Sequence, residues 1–212
     1  MGKGRKDETE IASCGAYATI ADFKRIFSED VNSLYLLSVL LTGTPEKAEE
    51  CFVEGIGEST KGNYVFKEWA RSWARRTIIQ SAIRLIAPMD YFPIVSRNAE
   101  VAYGMDKIPL ILHAEVRAIL ELAPLERFVF VMSVLERYSD NDCSLLLGCA
   151  RRDIATLRTR AMQQLGMFLR SKYPMESSSE NPTAPENIAM ITTPLIAQYF
   201  AAPEWPTGVS LG

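Results

Sequence analysis

Arg151, Arg152, Thr156, Arg158, Thr159, Arg160 and Gln163 lie in one short stretch of this chain. Guanidinium and carboxamide groups make paired hydrogen bonds to base edges, while Arg and Thr also hold phosphates. At helical spacing Arg152, Thr156, Thr159 and Gln163 share one face. Arg151 and Arg158 lie on one flank of it and Arg160 on the other. Ile154, Leu157, Ala161, Leu165 and Phe168 take the opposite, apolar face. From Ala150 to Lys172 six basic residues stand against one acid. A solvated arginine-rich helix in a bundle would carry the same charge, so the residues in front of it have to decide.

Those residues set up a support. Phe128, Val131, Met132 and Leu135 recur at i, i+3, i+4 and i+7, one stripe of an amphipathic helix. Ser139 precedes Asp142 by three, the spacing of an N-cap. Leu145, Leu146 and Leu147 give the short helix that follows its apolar side, and Gly148 can take the left-handed conformation that ends it. Support helix, short helix, glycine turn and basic helix follow in the order of a helix-turn-helix unit, whose last helix enters a DNA groove.

A second set sits earlier. Between Tyr64 and Ala87, Trp69, Trp73, Arg76, Gln80 and Arg84 form one helical stripe, with Ala74, Ile78, Ser81 and Leu85 on the other side. Indoles interleaved with arginines suit single-stranded DNA, because bases stack on the rings and guanidinium groups hold phosphates. Burial in the core is the competing role for both indoles, and the favoured one for Trp69. Glu46, Glu49, Glu50, Glu54 and Glu58 cluster on the helix expected after Thr44 and Pro45. Without histidine partners they read as a surface for water or a protein rather than as metal ligands.

The run from Leu122 to Leu165 resembles the C-terminal, promoter-reading domain of the extracytoplasmic-function (group IV) sigma factors of bacterial RNA polymerase. The resemblance is carried by Leu122-Ala123-Pro124, Arg127, Val129-Phe130, Leu147-Gly148, Ile154, Arg160-Ala161 and Leu165. Ser144 and Leu157 depart from the family pattern. Residues from about Ala21 to Ala87 are similar to the family's N-terminal domain, with Ala48-Glu49-Glu50-Cys51-Phe52-Val53 standing in the helix that docks on the polymerase clamp. Here Val53, Ile56, Arg76 and Gln80 replace the usual residues. The resemblance implies an all-α fold of two small helical domains, the second a helix-turn-helix, joined by a flexible linker. The expected division is a frayed N-terminus over 1–18, an N-terminal domain over 19–88 for polymerase docking and promoter melting, a linker over 89–111, a helix-turn-helix domain over 112–172 and a tail over 173–212. It further implies duplex reading by Arg151, Arg152, Thr156, Arg158, Thr159, Arg160 and Gln163, and melting by Trp73, Arg76, Gln80 and Arg84. Glu49, Glu50 and Glu54 would meet polymerase. The implied partners are core RNA polymerase, promoter DNA and, as a controlling protein, an anti-sigma factor. A DNA-binding regulator that no longer engages polymerase is the alternative.

Composition fits a non-enzymatic DNA-binding protein. The 212 residues are 48% hydrophobic with a formal charge of −3, so the chain is not a generally basic nucleic-acid binder. Its charge is segregated instead: five basic residues against one acid in Tyr64–Ala87, and four acids with no base from Tyr173 onward. Neither G-x-S-x-G nor G-x-x-x-x-G-K-[ST] occurs, which removes common hydrolase and nucleotide-binding signatures. Four cysteines without a C-x-x-C pair, and His113 as the single histidine, argue against zinc and for reduced thiols in a cytoplasmic protein without cofactor or metal. A Cys143–Cys149 redox bridge is the lesser alternative. The longest apolar run, Leu34 to Leu41 interrupted by Ser38, is too short to cross a bilayer, so no membrane association is expected. The tail turns from acidic and proline-containing to apolar at Ile188–Phe200. It reads as a disordered extension with a transient helix, or as a docking or autoinhibitory segment.

Overall fold

The computed structural model describes residues 17–61, 64–91 and 113–172. The expected linker, apart from 89–91, the tail, and the N-terminal stretch before Tyr17 lie outside the described residues. Among the described residues the protein is all-α, with eight α-helices and no strand. A single β-bridge joins Tyr17 and Phe66.

The N-terminal half packs three helices around an apolar fourth. Helix α1 (Ile20–Glu29) opens on a capping box in which the Thr19 side chain accepts from the Asp22 amide and Asp22 accepts from the Thr19 amide. Helix α2 (Val31–Thr42) is apolar nearly all round, and Leu34, Leu37, Leu40 and Leu41 are fully buried. A helix with no polar face must lie between others. It stops at Gly43, whose φ of 85° is left-handed. Helix α3 (Pro45–Ser59) begins at once, with Thr44 as its N-cap and Pro45 in its first turn. After a short 3-10 turn (Lys67–Trp69) comes helix α4 (Ala70–Ile86). The last two helices lie so close that a Cβ on Gly55 would sit 2.5 Å from Ile78 Cδ1. There the Cys51 thiol donates to the Ile78 carbonyl at 3.4 Å.

The C-terminal half is a second helical cluster. It contains α5 (His113–Leu120), α6 (Pro124–Phe130), α7 (Asp140–Leu147) and α8 (Arg151–Lys172). Helix α6 runs on into a π-helical turn, Val131–Leu135, which the amphipathic stripe of Phe128, Val131, Met132 and Leu135 does not announce. All four of those side chains are buried, as their spacing predicts. The wide turn closes with the Glu136 amide donating to the Val131 carbonyl, and Arg137 then takes a left-handed φ of 57°. The chain thereby turns sharply between α6 and α7.

The two halves meet through polar groups as well as apolar ones. Arg127 on α6 donates from Nη2 to the Leu41 carbonyl at 3.3 Å and from Nη1 to the Leu120 carbonyl at 3.2 Å. Its guanidinium fills the space beside Gly43, where a Cβ would lie 3.0 Å from Nη2. A cation is favoured there, since the carbonyls ending α2 have no intrahelical donor. Arg75 on α4 reaches across to Glu136 in a bidentate pair, Nε to Oε2 at 2.7 Å and Nη2 to Oε1 at 2.5 Å. Ser33 on α2 accepts from Arg75 Nη1 at 3.3 Å. Both charged residues are only 7% exposed. A buried pair of this kind is tolerable because each group finds the other in fork geometry.

Candidate nucleic-acid interface

Helix α8 owes its position to the cap and the turn before it. The Ser139 side chain accepts from the Asp142 amide at 3.1 Å and donates to the Asp142 carboxylate at 2.6 Å, starting α7 where the spacing places it. Gly148 ends α7 at φ 70° and ψ 26°. Open space surrounds the position of a Cβ there, so the left-handed backbone rather than crowding favours glycine. The Ser144 hydroxyl donates to the Cys149 carbonyl at 2.6 Å and closes the turn. Ser139→Ala removes the cap and is expected to cost about 1 kcal/mol of stability, read by thermal or denaturant unfolding.

Ile154, Leu157, Ala161 and Leu165 bury the inner face of α8, with Phe168 packed beside them. Beneath it, Glu126 on α6 is buried. Burial pushes its carboxyl above the ordinary range, opposed by the Arg160 charge and a hydrogen bond from Gln164. The outer face carries Arg151, Arg152, Thr156, Thr159, Arg160 and Gln163, all exposed. Arg152 Nε lies 3.6 Å from Asp153 Oδ1 at the surface, a pair that a phosphate can displace. The Thr156 and Thr159 hydroxyls donate to the Arg152 and Ala155 carbonyls at 3.0 and 2.9 Å, leaving their oxygens outward as acceptors. Arg158 stands apart from this set. It is half-buried and its guanidinium is paired with Asp140 on α7, so it ties the two helices together instead of facing a ligand.

On α7 the three leucines do not share one fate. Leu147 is buried and Leu146 half-buried, whereas Leu145 is 71% exposed. Successive residues turn by about 100° on a helix, so three in a row cannot all face one core.

The expected single-strand stripe on α4 is only partly open. Trp73, Arg76 and Gln80 are half-buried, and Arg84 is exposed but bound to Glu54 on α3 at 2.8 Å. The pair joins a residue expected to touch DNA with one expected to touch polymerase. Glu49 and Glu50 are exposed on α3 beside Val53, itself exposed. Trp69, for which core burial is the favoured expectation, is 40% exposed. It packs edge-on against Phe66, which stacks on Tyr17, and Tyr64 meets Tyr17 edge-on. Spacing within the helix could not disclose this patch, because all four rings lie before α4 begins and the Tyr17–Phe66 bridge gathers them.

The buried Arg75–Glu136 pair was also hidden among the basic residues of α4. One signal does exist: Arg75 heads the stripe Ile79, Ala82 and Ile86, all buried, so a charge there needs a partner. The three described cysteines, Cys51, Cys143 and Cys149, are free thiols. Burial pushes Cys51 and Cys143 up to about 12 and raises Cys149 as well. Among the described residues no group of His, Cys, Asp and Glu could hold a metal ion, and no helix is long and apolar enough to cross a membrane. Comparison of the chain with known protein families, with curated proteins and with solved structures finds no match.

Proposed function

We propose that this protein is a sigma-like transcription initiation factor that binds core RNA polymerase and directs it to promoter DNA. The observation that carries the reading is the outer face of α8. It is a solvent-facing row of Arg151, Arg152, Thr156, Thr159, Arg160 and Gln163 on a helix held from behind by α6 and α7. Arginine and glutamine on such a row reach base edges in the major groove, and the flanking arginines and threonines hold the phosphates on either side. The polymerase side of the proposal rests on α3, whose exposed Glu49 and Glu50 offer negative charge next to an exposed Val53. Charge of that kind steers encounter with a basic partner surface, and the apolar side chain adds buried area once docked.

Glu50→Lys is expected to weaken core-polymerase binding about tenfold in a pull-down titration while leaving duplex binding by α8 unchanged. Unchanged polymerase binding would sink the initiation-factor reading. The half-burial of Trp73, Arg76 and Gln80 favours a second reading, a DNA-binding regulator without promoter melting, because a stacking platform has to be open to bases. That protein would bind duplex through α8 and give no transcript with core polymerase.

A further inference from the structure

The exposed stripe of α8 continues past the residues expected to enter a groove. Arg152, Thr156, Thr159, Gln163, Met167 and Arg170 recur at i, i+4, i+7, i+11, i+15 and i+18, and all are exposed. Met167 is 65% exposed, an apolar side chain between amides and a cation. At the other end of the helix, exposed Leu145 stands three residues before the Gly148 turn that leads into α8. DNA phosphates would satisfy the guanidinium groups and do nothing for Met167 or Leu145. A peptide both acidic and apolar would satisfy all of them.

The chain itself contains that peptide. Glu176, Glu180 and Glu186 follow the end of α8 and precede Ile188, Ile191, Leu195, Ile196, Tyr199 and Phe200, with no basic residue after Lys172. We propose that residues 176–200 lie back along the exposed face of α8, their carboxylates on Arg170, Arg160 and Arg152 and their apolar side chains on Met167 and Leu145. The segment then competes with DNA for the same cations. Length permits this. From Lys172 to Arg151 the helix rises about 32 Å, and the sixteen residues from Lys172 to Ile188 can span up to about 53 Å. Glu186 therefore reaches the N-terminal turns of α8, and the apolar residues after it begin level with Leu145 on α7. The twelve residues from Ile188 to Phe200 can span up to about 40 Å. That is enough for Tyr199 and Phe200 to turn back to Met167, about 22 Å along α8 from Arg152. Tethering makes even a weak contact effective, since a segment joined by so short a connection meets its site at millimolar effective concentration. The regulatory half of the inference rests on α8 being the DNA-binding face; the docking half does not.

The test uses the full chain in three forms: unaltered, with Glu176, Glu180 and Glu186 changed to Gln, and with exposed Glu46, Glu68 and Glu121 changed to Gln. The third form changes net charge equally at exposed sites outside α8 and the tail. Amide chemical shifts and affinity for a mixed-sequence DNA duplex are measured at one salt concentration. In the tail variant, amides at Leu145, Arg152, Gln163, Met167 and Arg170 are expected to move, and duplex affinity to rise about tenfold, the shift for a sub-millimolar contact held at millimolar effective concentration. The third form is expected to show neither change. Unmoved α7 and α8 amides in the tail variant would overturn the docking. An equal rise of affinity in the third form, or moved amides with unchanged affinity, would overturn the competition. Moved amides in a protein that binds no duplex would uphold the docking and remove the DNA reading of α8 instead.

Discussion

Arg75→Met is expected to destabilise the protein by about 3–5 kcal/mol, the largest effect of any single polar substitution considered for this chain. The reason is what it leaves behind. Glu136 is 7% exposed and receives both of its charge-assisted hydrogen bonds from Arg75, so the variant strands a carboxylate where water cannot reach it. Glu136→Leu should cost a comparable amount, since it removes both charge-assisted hydrogen bonds to the carboxylate from a buried guanidinium. The double variant Arg75→Met, Glu136→Leu should recover most of the loss, since neither charge then has to be desolvated. Urea unfolding of the four proteins reads the coupling directly as a double-mutant cycle. Equal and additive losses would mean that the pair is not coupled.

The second large effect concerns recognition. Arg152→Ala should weaken duplex binding by about 1–3 kcal/mol and alter sequence preference, as loss of a bidentate base contact does. Arg152 is exposed at the start of the α8 stripe, where a recognition helix meets base edges, and its neighbour Asp153 holds it at 3.6 Å only through a surface contact. Arg170→Ala, five turns further along the helix, should do much less. A competition titration over a pool of duplexes distinguishes a change of preference from a uniform loss. Small and equal effects at both positions would mean that α8 does not read DNA.

How far the sequence discloses this protein depends on the range of the interaction. Helix boundaries are set by neighbours, and they are legible: Ser139 caps α7, Gly148 ends it, and Thr44, Pro45 and Gly43 separate α2 from α3. The inner face of α8 follows from spacing alone, because a 3.6-residue period fixes which side chains share a side. Contacts between distant residues are a different matter. Arg75 and Glu136 are 61 residues apart and Arg127 and Leu41 are 86 apart, and no local pattern pairs them. The same limit separates Arg158 from the other arginines of α8. Its flank position is visible in the spacing, but its partner Asp140 is contributed by another helix. The aromatic patch is hidden for a further reason, since a bridge between two non-helical segments brings Tyr17 to Phe66. The π-helical turn at Val131–Leu135 leaves the apolar stripe intact and so has no signature in it.

The central claim, that α8 brings core RNA polymerase to promoter DNA, is tested most directly by reconstituted transcription. Core polymerase would be given fragmented genomic DNA with no added protein, with this protein, or with its Arg152→Ala variant, and the transcript starts mapped. Discrete start sites that appear only with the protein and fade with Arg152→Ala are the expected result. A set of transcripts that is the same with and without the protein would contradict it.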